Sequence, residues 1–302
     1  MKPTDLNVYQ TSKCNSNCIH CSRQKTVPTD TDVTPDLLKD VLDRFPIKSV
    51  CIAGLGEPFL SPHLFDNIKL LNDRGIKPGL ITNGFLLGPY MKKLKEVDLV
   101  YLSVSLNAVN RAQHYAITRT KTFAQVVESI RLLVEESRFP VGMSKVCFRE
   151  DGAKNAMDFV EFGKRLELDF VHLVNSLPYD WDAIPGVLTE EKDAGYFSYL
   201  EMFKKEFDAG NMKVKWPISI KNKRCCSCNS PWQSVGINGG GWITGCRRIF
   251  PPSKEFGHYL DENVWEGSRG MIDLRSSIIR YTNKYSHFCD KCFGNYKGKA
   301  QC

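Results

Sequence analysis

The feature that most constrains the fold is an alternation of strand-like and helix-like segments between residues 5 and 180. Short apolar runs such as 48–53 and 99–105 predict strands. Stretches with helical spacing of apolar residues, such as 91–96 and 123–137, predict helices between them. About six such repeats predict a parallel sheet with helices outside it. Because a complete barrel of eight β/α units takes about 250 residues, this span predicts an α/β fold built on a partial (β/α)6 TIM barrel with an open side.

The composition changes after this region. Residues 181–221 contain one amphipathic helix, predicted at 190–208, and we interpret them as a connector. From residue 222 the chain is rich in Cys, Gly and Trp, and Gly239-Gly240-Gly241 predicts a turn between two short strands. The sequence therefore predicts a barrel over 1–180, a connector over 181–221 and a small C-terminal β-hairpin and helix domain over 222–302.

Twelve cysteines among 302 residues are the strongest chemical signal. The chain begins with no signal peptide and has no apolar run long enough to cross a membrane, so we expect a cytoplasmic protein with no membrane partner. In that compartment cysteines favour metal or redox chemistry over disulfides. The net charge of +7 is spread along the chain, and a solvated surface explains it better than nucleic-acid binding.

Cys14, Cys18 and Cys21 have the spacing CxxxCxxC and follow the first predicted strand. An iron–sulfur cube has four irons that each need a ligand, so three thiolates leave one iron open to a small molecule. A structural zinc site normally closes with four ligands, and this trio fits zinc poorly. The spacing alone leaves three thiols without a metal as an alternative.

This spacing resembles that of the radical S-adenosylmethionine (radical SAM) superfamily, in which the amino and carboxylate groups of SAM chelate the open iron. Three further segments carry the resemblance. Gly54-Leu55-Gly56-Glu57-Pro58 is similar to the family's Gly-Gly-Glu-Pro motif, with Leu55 in place of a glycine. Ser103–Asn107 is similar to its ribose motif, and strand alternation predicts one shared face for its polar side chains. The resemblance implies SAM contacts by His20, Gly56, Glu57, Pro58, Ser103, Ser105 and Asn107. Thr82-Asn83-Gly84 resembles another segment of the family, although alone it is only a turn.

A second group of cysteines lies near the C-terminus. Its members are Cys228, Cys246, Cys289 and Cys292. Four ligands can close a tetrahedral site, and their spacing leaves zinc and an iron–sulfur cluster as alternatives. With Trp265 and Arg269 between them, the cysteines resemble the twitch domain, a shorter relative of the SPASM domain. The resemblance implies one auxiliary [4Fe-4S] cluster and therefore two [4Fe-4S] clusters in the chain.

Cys225 and Cys226 lie just before this second group. The resemblance makes either one a candidate hydrogen-atom donor, as in radical SAM epimerases. A spare thiol or a replacement ligand for Cys228 are the alternatives. A third cluster that also uses Cys302 is disfavoured.

The resemblance implies an enzyme that takes an electron from a flavodoxin or ferredoxin and cleaves SAM to a 5′-deoxyadenosyl radical. The radical would abstract a hydrogen atom from a C–H bond. Oxidation, epimerisation and cross-linking of a peptide stay open as outcomes. We expect a small sugar-like or aminocyclitol metabolite or a short peptide as substrate, because a cysteine loop at residue 14 leaves no room for the leader-binding domain of many peptide maturases. The alternative from another class is a non-enzymatic metal-cluster interaction module.

Overall fold

The computed structural model describes residues 2–21, 23, 31–177, 186–218, 228–246, 251–279, 285–289 and 292. The strands in these residues are β1 (Asp5–Tyr9), β2 (Ser49–Ala53), β3 (Gly79–Thr82), β4 (Tyr101–Val104), β5 (Val141–Cys147), β6 (Phe170–Asn175), β7 (Lys213–Lys215), β8 (Ser234–Asn238) and β9 (Ile243–Thr244). The helices are α1 (Pro35–Arg44), α2 (Leu64–Asp73), α3 (Leu87–Leu94), α4 (Arg111–Thr118), α5 (Phe123–Glu136), α6 (Gly152–Arg165), α7 (Glu190–Glu206), α8 (Ser230–Gln233), α9 (Val264–Gly267), α10 (Arg269–Ile279) and α11 (Ser286–Cys289).

All nine strands belong to one sheet with the order β7-β6-β5-β4-β3-β2-β1-β8-β9. Every neighbouring pair is parallel except β8 and β9, which form the predicted antiparallel hairpin. The sheet is not closed, since β7 and β9 are its two ends. The predicted fold class, an incomplete α/β barrel followed by a small hairpin unit, is confirmed.

The number of parallel strands is larger than the six predicted. Strand β7 pairs with β6 but consists only of Lys-Val-Lys, which carries no run of apolar residues to mark it in the sequence. Strand β8 pairs in parallel with β1, with Leu6 opposite Val235 and Val8 opposite Ile237. The C-terminal hairpin therefore extends the barrel sheet from the strand that leads into the cysteine loop.

Local sequence signals explain where helices α1 and α3 begin. Helix α1 begins as predicted, because the Thr34 side chain accepts a hydrogen bond from the Leu37 amide at 3.3 Å and Pro35 occupies the first turn. Helix α3 begins four residues before the predicted 91–96 segment. The Gly88-Pro89 pair resembles a break in the sequence, but proline is tolerated in the first turn of a helix.

One apolar core joins the barrel to the C-terminal region. Leu6 and Val8 of β1 belong to the same buried cluster as Ile237 of β8 and Met271 of α10. Trp265 of α9 packs edge-on against Phe45, with ring centroids 6.3 Å apart. The hairpin and its following helices are thus packed on the barrel rather than tethered to it. No described helix is both long and apolar enough to cross a bilayer.

Candidate functional site

The three cysteines of the CxxxCxxC segment lie in the loop that leaves the carboxyl end of β1. All three side chains are half-buried. Carboxyl ends of parallel barrel strands are where active sites assemble. The loop is held there from three directions, by the end of β2, the end of β3 and the end of helix α4, and each support is described in turn.

Gly56, at the end of β2, supports the cysteine loop through close backbone contact. A methyl group in place of its hydrogen would lie 2.3 Å from the Thr11 carbonyl oxygen and 2.4 Å from the Lys13 carbonyl oxygen. Only glycine allows this approach. The next amide, Glu57 N–H, donates to the Lys13 carbonyl at 2.7 Å. The Gly56-Glu57 segment therefore sets the position of the backbone immediately before Cys14.

The Glu57 side chain connects the ends of β2 and β3. It is buried, and its carboxylate accepts hydrogen bonds from the Thr82 hydroxyl at 2.7 Å, the Asn83 amide at 2.7 Å and the Phe59 amide at 3.2 Å. Burial raises the pKa of Glu57 to about 7, and the three hydrogen bonds oppose that rise. In this structure Glu57 acts as a brace between strand ends.

Asn83 links Glu57 to the cysteine loop. Its amide nitrogen Nδ2 lies 2.7 Å from the Asn15 Oδ1 atom and 4.0 Å from the Cys14 sulfur. The Thr82-Asn83-Gly84 segment, which alone predicts only a turn, thus contacts the loop directly. The signal that could have identified Asn83 is its place after a buried strand, where barrel loops carry functional polar groups.

Helix α4 forms the third support of the cysteine loop. The sequence of α4 predicts no helix, because this segment has few apolar residues. Its end carbonyls accept hydrogen bonds from the loop: Asn17 N–H donates to Thr118 at 3.3 Å and Ile19 N–H donates to Ile117 at 3.0 Å. The Ser16 hydroxyl adds a bond to the Thr118 carbonyl at 3.3 Å. The Asn110 side chain caps the start of the helix by accepting from the Gln113 amide at 2.9 Å.

The thiols of the loop affect one another. Burial raises the pKa of Cys14, and the charges of Glu57 and Cys21 raise it further. Burial also raises the pKa of Cys18, and the charges of Cys21 and Cys14 add to that rise. The Ser16 hydroxyl, 3.0 Å from the Cys18 sulfur, opposes the rise at Cys18. Three thiolates this close repel one another, and a bound cation relieves the repulsion. The donor set therefore fits a positively charged iron centre.

His20 lies beside the loop, against the end of β5. Its ring centroid is 5.8 Å from that of Phe148. Burial and the nearby Lys145 ammonium lower the pKa of His20 to about 4, with Asp151 acting in the opposite direction. A neutral imidazole next to a phenyl ring is a flat, apolar surface suited to an aromatic base. The adenine contact of His20 stays a prediction.

The predicted ribose segment is only partly a strand. Ser103 is buried in β4, and the Ser105 hydroxyl lies 3.3 Å from the Ser144 hydroxyl of β5. The alternation does not continue to Asn107, whose φ of 60° ends the extended backbone. The Asn107 side chain instead connects β4 to β5, since it donates to the Ser105 carbonyl at 3.2 Å and accepts from the Val146 amide at 2.8 Å. The SAM contacts of these residues, and of the buried Pro58, stay predictions.

Sequence reasoning missed Lys145, which is 1% exposed at the carboxyl end of β5. Its ammonium lies 2.9 Å from the Asp151 carboxylate and donates to the Asn107 carbonyl at 3.2 Å. A buried lysine requires partners of this kind. The available signal was its place on the same strand face as the apolar residues Met143 and Cys147.

The structure brings the second group of cysteines together from separate segments. Cys228 precedes α8, Cys246 follows β9, and Cys289 ends α11 beside Cys292. Burial raises the pKa of Cys289, and the charges of Cys246, Cys292 and Cys228 raise it further. The other three thiols therefore lie within electrostatic reach of Cys289. The Ser277 hydroxyl is 3.7 Å from the Cys289 sulfur. This set is sufficient in number to hold a second cluster.

Other predicted residues of this region have different places. Cys225, Cys226 and Cys302 lie outside the described residues. Trp265 is buried under the Arg275 guanidinium, 5.0 Å from its ring centroid. Arg269 is on the surface, where it forms an ion pair with Asp273 at 3.0 Å. Across the described part of the chain, no three His, Cys, Asp or Glu side chains are grouped closely enough to hold a single metal ion.

An open parallel sheet with a thiol-bearing loop at the carboxyl end of its first strand defines an incomplete α/β barrel with a candidate metal centre. Residues 8–155, about half of the chain, match the model of the Radical SAM superfamily. The chain belongs to that superfamily, whose members use SAM and a [4Fe-4S] cluster.

Two curated relatives show how far the sequence likeness extends. The chain is 30% identical over 178 residues to a "Probable GTP 3′,8-cyclase" of Saccharolobus solfataricus, an alignment that covers 58% of this chain and 57% of the relative. It is 26% identical over 292 residues to a "Tungsten-containing aldehyde ferredoxin oxidoreductase cofactor-modifying protein" of Pyrococcus furiosus, which covers 92% of this chain and 81% of the relative. The chain thus spans less than two thirds of the cyclase and most of the second relative.

Solved structures extend the likeness of fold to the C-terminal region. "Native anSMEcpe with bound AdoMet and Cp18Cys peptide" has a TM-score of 0.69 at 17% identity and covers 99% of this chain and 92% of that one. Streptococcus suis SuiB bound to the precursor peptide SuiA has a TM-score of 0.67 at 15% identity and covers 100% of this chain and 72% of that one. At these identities the likeness shows the fold.

Proposed function

We propose that this radical SAM protein removes a hydrogen atom from a C–H bond of a short peptide, with oxidation or epimerisation as the outcome. The observation that carries the radical-generating part is the cysteine loop, which Gly56, Glu57 and α4 fix at the carboxyl end of β1. The peptide is supported by the two peptide-bound structures, which share the fold of this chain over nearly its whole length.

Each part of the site has a task in this proposal. When bound, the cluster and SAM supply a 5′-deoxyadenosyl radical after transfer of one electron. Cys14, Cys18 and Cys21 would hold the cluster. The backbone at Gly56 would face the SAM amino group, and Glu57 keeps that backbone in position through Thr82 and Asn83.

The C-terminal cysteines supply the second half of the proposal. Cys228, Cys246, Cys289 and Cys292 would hold an auxiliary [4Fe-4S] cluster that takes an electron from the substrate when the outcome is oxidation. In the epimerisation route, Cys225 or Cys226 would break its S–H bond to give a hydrogen atom to the opposite face of the substrate carbon. The resulting thiyl radical would take one electron from the external reductant and one proton from solvent to restore the thiol. The two routes differ in whether the product has lost two electrons.

Modification of a small cofactor precursor or a sugar-like metabolite is the second candidate. It is favoured by the Pyrococcus furiosus cofactor-modifying protein, which aligns over 92% of this chain. A cross-link within a peptide stays an alternative outcome. Either substrate class would use the same radical-generating loop.

Anaerobic reconstitution tests the radical-generating half. The proposal expects about eight irons per chain, by the four-iron composition of each cluster, and 5′-deoxyadenosine that forms only with SAM and a reductant. A reconstituted protein that binds iron but never cleaves SAM would overturn the enzyme and support an interaction module.

Isotope exchange separates the two outcomes. With a peptide substrate in D₂O, one solvent deuterium retained in an otherwise unchanged product indicates epimerisation through a thiol. A product two hydrogens lighter and free of deuterium indicates oxidation. If only small metabolites consume SAM stoichiometrically, the second candidate replaces the peptide.

A further inference from the structure

Helix α4 presents an exposed surface directly beside the cysteine loop. Ile19, which follows the second loop cysteine, is 60% exposed, and Tyr115 of α4 is 49% exposed. An isolated exposed apolar residue needs no explanation, but these two flank the same hydrogen-bonded junction, where Ile19 N–H donates to the Ile117 carbonyl. We call the exposed side chains of Ile19, Arg111, Tyr115, Arg119 and Lys121 the α4 face.

The α4 face is strongly basic. Arg111, Tyr115 and Arg119 are spaced by four residues and so lie along one stripe of the helix and its cap. Lys121 follows, and all three cations are exposed. Within the described residues none of them forms an ion pair. The sequence contains no Asp or Glu from residue 6 to 29 or from 99 to 127. Apart from the three cysteines, the charged side chains of the loop and α4 are therefore all basic.

The opposite side of α4 keeps this face rigid. His114 is buried, with its Nε2 atom 3.1 Å from the Thr122 hydroxyl and 3.3 Å from the Thr120 hydroxyl. The Thr118 hydroxyl donates to the His114 carbonyl at 2.8 Å and lies 2.9 Å from the Thr120 hydroxyl. This network fixes the segment that follows the helix. A partner seated on the α4 face would therefore meet a preformed surface hydrogen-bonded to the cysteine loop.

We propose that the α4 face is the docking surface for an acidic one-electron carrier protein. The inference rests on the proposed function, which needs one electron at the loop. In the step, the carrier is oxidised by one electron, the loop's cluster is reduced by one electron, and no bond forms or breaks. The three cations, which form no ion pair in the described part of the chain, complement a carrier with acidic residues around its redox group.

Physical chemistry favours a small, charge-steered contact here. Transient redox complexes bury little surface, typically below about 1,200 Å². Complementary charge raises the rate of encounter by about 10- to 1,000-fold at low ionic strength. Tyr and Arg are the side chains enriched where such contacts are tightest. The α4 face has both residue types next to the ligand loop.

Charge reversal on the full reconstituted protein tests the proposal. The test protein carries Arg111→Glu, Arg119→Glu and Lys121→Glu. The matched control carries Lys69→Glu, Lys92→Glu and Lys205→Glu, which are exposed cations on α2, α3 and α7 with no ion pair in the described residues. Both proteins change by the same net charge. Should the test protein fold poorly, the corresponding three glutamine substitutions replace it.

Cluster reduction by enzymatically reduced flavodoxin, and separately by reduced ferredoxin, is followed as loss of the cluster's visible absorbance. We expect the test protein to be reduced about tenfold more slowly than the control at low salt, with the difference shrinking as salt screens the charges. Dithionite, which needs no docking surface, should reduce both equally. Equal reduction rates of the test and control proteins with both carriers would overturn the docking surface. The absence of carrier-driven reduction in both proteins would overturn it as well.

A separate readout distinguishes this result from the proposed function. Dithionite-driven formation of 5′-deoxyadenosine reports SAM cleavage without the carrier. Its absence in the unaltered protein would sink the proposed function. A carrier-dependent difference in cluster reduction would still identify the docking surface.

Discussion

The two groups of cysteines are built in opposite ways. Cys14, Cys18 and Cys21 come from one short loop, whose backbone is hydrogen-bonded to the residues after β2 and at the end of α4. The C-terminal cysteines come from three segments that meet only because β8, α8, α10 and α11 pack together. The first group depends on polar contacts at strand ends, and the second depends on burial.

This difference determines how each group responds to change. A substitution near the loop alters hydrogen bonds and backbone positions beside the ligands, with little change to the core. Cys289, in contrast, belongs to the apolar core cluster, and its neighbour Ser277 is fully buried. Substitutions there act through packing, and their effect on a bound cluster is indirect. The predictions below test this contrast in order of expected effect.

The largest effect should come from removing each set of ligands. Alanine at Cys14, Cys18 and Cys21 is expected to abolish formation of 5′-deoxyadenosine and to remove about four irons. Alanine at the four C-terminal cysteines should also remove about four irons but leave SAM cleavage measurable and uncoupled from product. Iron analysis and chromatography of the reaction check both. Loss of all iron in either variant would contradict two independent sites.

Gly56→Ala should have the next largest effect. The new methyl would lie 2.3 Å and 2.4 Å from two backbone oxygens of the cysteine loop, so the loop must move. We expect a loss of about 1–3 kcal/mol in the free energy of unfolding, as for other overpacked sites, together with reduced iron uptake by the loop. Urea denaturation and iron analysis measure the two effects.

Gly195→Ala in α7 is the matched control for that substitution. No heavy atom lies within 4 Å of the position of its new methyl group. The change should therefore stabilise the helix by about 0.5–1 kcal/mol. If both alanines have the same effect on iron uptake, the contact between Gly56 and the loop has no special role.

Glu57→Ala should destabilise the junction of β2 and β3. It leaves the Thr82 hydroxyl and the Asn83 and Phe59 amides without their acceptor, at a cost of about 1–3 kcal/mol for a buried group left unsatisfied. Glu57→Gln keeps the Oε1 acceptor and replaces only the oxygen that faces Asn83 N–H, so its cost should be smaller. Denaturation midpoints measure both, and equal costs would show that the carboxylate is not the brace.

The barrel could be predicted from the sequence because strands buried on both faces and amphipathic helices carry strong periodic signals. The cysteine loop could be located because its ligands are close in sequence. Gly56 and Glu57 were identified through a family resemblance, but their physical task was not, since it depends on a close contact between backbones 43 residues apart in sequence, from Lys13 to Gly56. Local spacing carries no information on such contacts.

Helix α4 and Lys145 show why the remainder could not be predicted. The stabilising contacts of α4 are hydrogen bonds to the cysteine loop and a threonine–histidine network, so its sequence has no apolar stripe. Lys145 is a charged residue, yet it is buried, because Asp151 and the Asn107 carbonyl accept hydrogen bonds from its ammonium. In both cases contacts from other segments determine the structure. The residue types alone predict no helix at α4 and an exposed side chain at Lys145.

Ser277→Ala should have the smallest effect. It also tests most directly whether the cysteine loop and the C-terminal cysteines are stabilised independently. The Ser277 hydroxyl donates to the Leu274 carbonyl at 2.7 Å and lies 3.7 Å from the Cys289 sulfur. Its loss should cost about 1 kcal/mol of unfolding free energy, the usual net value of one hydrogen bond, and should lower iron retention only at the C-terminal cysteines.

Ser137→Ala, which removes a hydroxyl bonded to the Phe139 carbonyl at 2.9 Å on the barrel, is the control. Because the loop is held by its own hydrogen bonds, its SAM cleavage should be unchanged in both variants. A fall in SAM cleavage with Ser277→Ala alone would mean that packing in the C-terminal region also positions the loop, and the two groups of cysteines would then form one coupled unit.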